Sequence, residues 1–145
     1  MSSTSTHAEV TAADTAGRWP VLLLLASGLG WLVISGIFAL IASIQLHSPS
    51  FLSACEWLTH GRVSALAETS FVYGWFANAG LGIALWVLGR LGGSTLRAQN
   101  WAMIGTLFWN LGITIGLGGI ATGDATSFAL LELPRYVQPL LVVAY

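Results

Sequence analysis

Few side chains in this 145-residue chain could do chemistry. Three histidines, one cysteine, six acids and five arginines are scattered through a sequence that is 55% hydrophobic and has no lysine. His7 lies near the N-terminus, whereas His47 and His60 share one polar segment between apolar stretches. His60 leads directly into such a stretch. An imidazole there can ligate haem iron or a metal ion, and it equally suits a solvated interfacial position, the commoner use. Asp124 and Glu132 follow the third apolar stretch. Carboxylates so placed either stay solvated or hydrogen-bonded to helix ends, or cluster to bind a hard cation. The sequence has neither a nucleotide-binding glycine fingerprint after a strand nor a paired-histidine metal motif. Cys55 stands alone, which excludes an internal disulfide and a thiolate cluster.

The elements that must position these residues are apolar. Residues 21–46, 70–91 and 101–122 contain almost nothing that ionises, with Arg90 as the exception. A bilayer core about 30 Å thick needs roughly 20 apolar residues of helix, and each run reaches that length. A fourth run, residues 134–145, is shorter. A membrane helix that stops after so few turns cannot satisfy its last carbonyls in lipid, so the chain is expected to be the first part of a larger membrane protein. The expected fold is an all-α membrane protein with three complete transmembrane helices (about 20–46, 70–91 and 101–122), the start of a fourth at 134–145, and a disordered polar tail over residues 1–18. Only 8% of residues are charged and the mean hydropathy is +0.77, which places the chain in the membrane class. A net charge of −1 without a basic stripe excludes nucleic acid as a partner. The tail lacks a basic n-region and the first apolar run is too long for a signal peptide, so that run is read as a retained helix.

Within the spans, Trp19-Pro20 suits the first turn of a helix anchored at the interface. Gly28, Gly30 and Gly36 suit close packing in the first span. Residues 47–69 read as an extramembrane segment, in which 51–59 has helical spacing and could lie along the interface. In the second span Ser70, Gly74, Asn78 and Gly82 recur every four residues. The third carries Gly105, Gly112, Gly116, Gly119 and Gly123. Small and amide side chains at such spacing let helices approach closely and exchange hydrogen bonds, a commoner use than ligand contact. Asn78 and Asn110 are the only strongly polar side chains deep in the spans. Ionisable residues, the usual mark of a transport path, are missing from the helix centres. Arg18, Arg90 and Arg97 fall on one side and Arg62 and Arg135 on the other, which leans towards a cytoplasmic N-terminus.

Two stretches carry a resemblance. GRVSALAETSFVYGW (residues 61–75) resembles the start of the second helix of cbb3-type cytochrome c oxidase subunit I, a haem–copper oxidase catalytic subunit. FWNLGITIGLGGIATGD followed by LLELPRYVQPLLVVAY (within residues 108–145) resembles that subunit's third helix and the beginning of its fourth. The shared elements are Trp109-Asn110-Leu111, Leu131-Glu132-Leu133-Pro134 and Val143-Ala144-Tyr145, in order and at matching spacing. Where the family reads roughly Gly-Arg-x-Arg-Pro-x-His and uses the histidine to ligate haem b, this chain reads Gly61-Arg62-Val63-Ser64-Ala65-Leu66-Ala67. Ala67 has no lone pair to give iron.

The resemblance implies the N-terminal portion of a terminal oxidase subunit in a bacterial inner membrane. A complete member would couple electron transfer from cytochrome c to oxygen with proton translocation, and would hold haem b and copper. It would partner other membrane subunits of the oxidase and a c-type cytochrome. The residues here lack the active-site helices and cannot reduce oxygen unaided. By resemblance, Arg62 and Glu132 match the haem-propionate and calcium surroundings, and His60 is the substitute haem ligand nearest Ala67. The competing expectation is a haemless, non-enzymatic membrane protein that packs against partner helices through its glycine faces.

Overall fold

The computed structural model describes residues 3–52, 54–92, 99–126 and 128–145, with side chains from residue 17 onward. It is all-helical, and the described residues contain no strand. Helix α1 is Ser3–His47. Helix α2 (His60–Thr69) runs without a break into a π-helical segment, Ser70–Phe76, and then into α3 (Ala77–Gly92). Helix α4 is Gln99–Thr122 and the short α5 is Gln138–Ala144. Three helical stretches, Gly17–His47, His60–Gly92 and Gln99–Thr122, are long and apolar enough to cross a membrane.

The backbone of α1 continues N-terminally through the stretch expected to be a tail, where Ala8, Ala12, Ala13 and Ala16 favour helix. The second helical stretch begins at His60, ten residues before the apolar run that announced it. Those ten residues are helix and not loop. Although α2 carries Arg62, Ser64 and Glu68, it buries Val63, Ala65, Leu66 and Ala67 against its neighbours. The interfacial helix expected at 51–59 is instead a pair of turns and one 3-10 turn, Glu56–Leu58. Gln45 of α1 holds this connection down, its amide nitrogen donating to the carbonyls of Leu58 (2.6 Å) and Phe51 (3.3 Å). The fourth run begins as helix only at Gln138, because Pro134 and the turn that follows it precede the cap at Val137.

Helix α1 and the α2–α3 rod run antiparallel. Leu24 meets Gly82, Gly28 meets Asn78, Trp31 meets Gly74, and Ser35 donates to the Ala67 carbonyl at 2.9 Å. Helix α4 fills the groove between them, and α5 descends antiparallel along α4. The apolar core lies where these meet: Ala65 and Leu66 from α2, Ile113, Leu117 and Ile120 from α4, and Leu133, Val137 and Leu141 from the last segment. Elsewhere large apolar side chains such as Val33, Leu40, Phe76, Leu88 and Leu107 are exposed, as expected of helices whose outer faces meet lipid or other helices.

The π segment explains a pattern that an α-helix alone could not sustain. A step of four residues overshoots one turn of α-helix, with its 3.6 residues per turn, so an every-four stripe drifts round the rod. In a π-helix, bonded i→i+5, the same step falls short of a turn. The two drifts offset each other, and Ser70, Gly74, Asn78 and Gly82 are all buried on one face. At Gly74 the approach is closest: an added Cβ would lie 2.6 Å from both Cβ and Cγ of Trp31.

Candidate functional site

Two polar constellations emerge, one deep in the bundle and one at its end. The deep one centres on Asn110 of α4. Its Oδ1 accepts from Trp31 Nε1 of α1 at 2.6 Å and from Asn78 Nδ2 of α3 at 3.5 Å. Its Nδ2 donates to the Thr106 carbonyl at 2.8 Å and, over longer reaches of 3.4 Å, to Ser27 Oγ and Asn78 Oδ1. Asn78 Nδ2 also donates to the Gly74 carbonyl at 2.6 Å. On the neighbouring residues, Trp109 Nε1 donates to the Tyr73 carbonyl at 3.1 Å. The π segment's carbonyls are thus met by side chains, as buried backbone acceptors require. This constellation contains no ionisable group, and its one hydroxyl, Ser27 Oγ, donates to the Leu24 carbonyl at 3.1 Å with no base among its hydrogen-bond partners. Its chemistry is that of a three-helix lock.

The end constellation gathers the residues expected from the sequence. Arg62 reaches from the first turn of α2 to the C-terminus of α4, where its Nη1 donates to the Ala121 carbonyl at 3.1 Å and to the Glu56 carbonyl at 2.6 Å. Guanidinium at that position satisfies an orphan carbonyl and meets the negative end of the helix dipole. Gly123, with φ of +96°, ends α4 beneath it, and a Cβ there would come within 2.7 Å of Arg62 Nη2. The 123–137 connection then folds back. The Thr126 amide donates to the Glu132 carbonyl at 3.2 Å, and Thr126 Oγ1 donates to the Leu131 carbonyl. Glu132 is half-buried, its Oε2 is enclosed without a hydrogen-bond partner, and burial together with the charge of Glu68 raises its pKa from the ordinary 4.5.

His60, the first residue of α2, is exposed. Ala67 lies two turns further along the same helix face, roughly 10 Å by helix rise, and is buried. Its carbonyl accepts from Ser35 of α1, and its methyl offers no lone pair to iron. The surroundings of Ala67 therefore do not fit a haem held at that position, and His60 stands at a different depth. Asp124 is exposed at the end of α4. Among the described residues no three His, Cys, Asp or Glu side chains cluster so as to hold a metal ion. The structure thus brings Arg62 and Glu132 to the same end of the bundle and leaves His60 and Ala67 apart. Arg97 lies outside the described residues, while Arg18 and Arg90 stand at the end opposite Arg62 and Arg135.

Sequence reasoning missed Trp31 as the partner of Asn110, and Arg62 as a helix cap. The first had no local signal, since the partners are 79 residues apart. The glycines of α4, in contrast, do what their spacing implied. Added Cβ atoms at Gly112 and Gly119 would strike Leu141 and Pro134, that at Gly116 would strike Leu133, and at Gly105 the obstacle is the Ala144 carbonyl. Two open apolar hollows, of about 320 and 530 Å³, flank Trp109 and share Tyr145.

No protein-family model, curated protein or solved structure matches this chain.

Proposed function

We propose that these helices are the N-terminal part of an oxidase subunit I-like respiratory membrane protein, in which they form a packing scaffold and do not ligate haem b. The observation that carries the reading is the shared position of Arg62 and Glu132. The resemblance assigns both to one charged neighbourhood at one membrane surface, and both lie at the end of the bundle where α4 closes. The scaffold half rests on Ala67, which is buried against α1 with its carbonyl bonded by Ser35. Electron transfer and proton translocation belong, in this reading, to helices and subunits that these residues support.

The test is isolation of the tagged protein from its own membranes in mild detergent. Recovery of a c-type cytochrome together with cytochrome c-driven oxygen uptake is the expected result. Isolation without any haem subunit, from membranes whose respiration is unchanged by deletion of the gene, overturns it. A reduced-minus-oxidised spectrum tests the scaffold half. A b-type band that disappears in His60→Ala would show that this region does hold haem.

A second reading has its own support. The same Ala67 packing, with the apolar hollows beside Trp109, suits a haemless membrane protein that only binds partner helices. Isolation of the protein with non-haem membrane partners alone would favour it.

A further inference from the structure

Tyr73 occupies an unusual junction. It lies in the middle of the π segment, and its own carbonyl is held by Trp109 Nε1. Its hydroxyl donates to the Leu130 carbonyl at 3.1 Å. Leu130 is one of two non-glycine residues with positive φ among the described residues, at +66°. A γ-branched side chain in the left-handed region is held there only when its surroundings over-determine it. The Tyr73 bond is the tie from the transmembrane rod to that strained residue. Four residues earlier and later on the rod stand Thr69 and Ala77, and the next residue after Ala77 is Asn78, whose amide grips both the Gly74 carbonyl and Asn110.

We propose that Tyr73 is a latch coupling the 128–133 loop to the intramembrane amide lock through the π turn. With the latch closed, Leu130 stays in its strained conformation, and Trp109 and Asn78 hold the π carbonyls. With it open, Leu130 returns to an ordinary conformation and the loop lifts. The π turn loses one of its fixed points and can then reach α register. Removing one residue of winding turns everything beyond it round the rod, so Asn78 and Gly82 together leave the face they share with Ser70 and Gly74. A signal at the loop surface thereby reaches the middle of the bundle through neutral hydrogen bonds and backbone winding alone. This inference is independent of the oxidase reading.

Tyr73→Phe removes the hydroxyl and keeps the ring. Hydrogen exchange of the full chain in detergent micelles reads the two regions separately. Loss of one hydrogen bond predicts about tenfold faster exchange in residues 128–133 and a rise of similar size in residues 70–78. 5-Fluorotryptophan labelling, with the Trp31 signal assigned by Trp31→Phe, reads the lock itself, and that signal shifts or broadens in Tyr73→Phe. Leu130→Gly, which removes the backbone strain, restores protection of the loop in the Tyr73→Phe background. Faster exchange confined to 128–133, with Trp31 unchanged, overturns the coupling. Unchanged exchange in both segments overturns the latch altogether.

Discussion

The seam between α1 and α3 and the seam between α4 and α5 solve one problem with different chemistry. Neither gains a hydrophobic drive from contact within lipid, because lipid tails are as apolar as the side chains they would replace. The first seam is polar and rigid. Gly74 admits the stem of Trp31, and the indole hands its proton to Asn110 across the bundle. The second is smooth and mostly apolar, with Leu133, Pro134 and Leu141 resting on Gly116, Gly119 and Gly112, and with the Tyr136 hydroxyl and the Ala144 carbonyl against Gly119 and Gly105. The difference teaches where specificity resides. Hydrogen bonds of fixed reach, from Ser35 to the Ala67 carbonyl and through Asn110 of α4, define one register for α1 against the α2–α3 rod, whereas van der Waals contact on a glycine face defines closeness and leaves side-chain ends free to adjust.

The largest expected effect breaks the rigid seam. In Gly74→Ala the new methyl meets the Cβ and Cγ of Trp31, and the Cβ is fixed by the backbone, so no side-chain rotation relieves the contact. Overpacking of this kind costs about 3 kcal/mol, and displacing the indole also pulls Nε1 off Asn110. Unfolding in mixed detergent–SDS micelles, followed by tryptophan fluorescence, reads the loss. A stability within experimental error of the wild type would mean that the two helices are not held at this distance.

Asn110→Leu comes next. It removes the acceptor of Trp31 and Asn78 and leaves their donors enclosed, for a loss of about 2 kcal/mol. Interhelical hydrogen bonds in membranes often count for less, so the cycle Asn78→Ala, Asn110→Ala and the double variant sharpens the figure. Coupling between the two positions is expected, because each amide serves the other. Strict additivity would show that the long 3.4–3.5 Å contacts between them carry no energy, and that the lock is the Trp31 bond alone.

Gly112→Ala is the matched probe of the smooth seam. Its Cβ would lie 2.8 Å from Leu141 Cδ2, the end of a flexible side chain. A rotamer change accommodates it, at a cost of about 1 kcal/mol or less. Equal losses for Gly112→Ala and Gly74→Ala would erase the contrast between the seams.

Much of this contrast was legible in the residues. Hydropathy located the spans, and glycine spacing marked the face of α4 on which the last segment lies. Asn78 and Asn110 stood out as the deep polar pair. Two things were hidden. The start of α2 looked like loop because Arg62, Ser64 and Glu68 dilute its hydropathy. Its burial comes from Val63, Leu66 and Ala67, which periodicity shows only once a neighbour is known. The π segment was present as a clue: Ser70, Gly74, Asn78 and Gly82 keep a strict four-residue step for longer than 3.6-residue winding can hold on one face. The partners Trp31 and Ser35 belong to a helix that is apolar on every side. Nothing local distinguishes them from residues facing lipid.

The smallest effect lies outside both seams and depends on pH. Glu132 sits in the loop beyond α4, where burial and then the charge of Glu68 raise its pKa above 4.5. The folded chain therefore keeps a proton at pH values where the unfolded chain has released it. Stability contributed by that proton is complete below 4.5 and is lost as pH rises through the folded-state value. Glu132→Gln carries no charge at any pH, so it lacks this slope and gains on the wild type as the pH climbs from 4.5 towards neutrality. The gain is modest, because the side chain is only half-buried. Gly74→Ala and Asn110→Leu act on neutral groups, and their losses stay constant over the same window. A wild-type-like slope in Glu132→Gln would show that the pH dependence does not arise from this carboxyl.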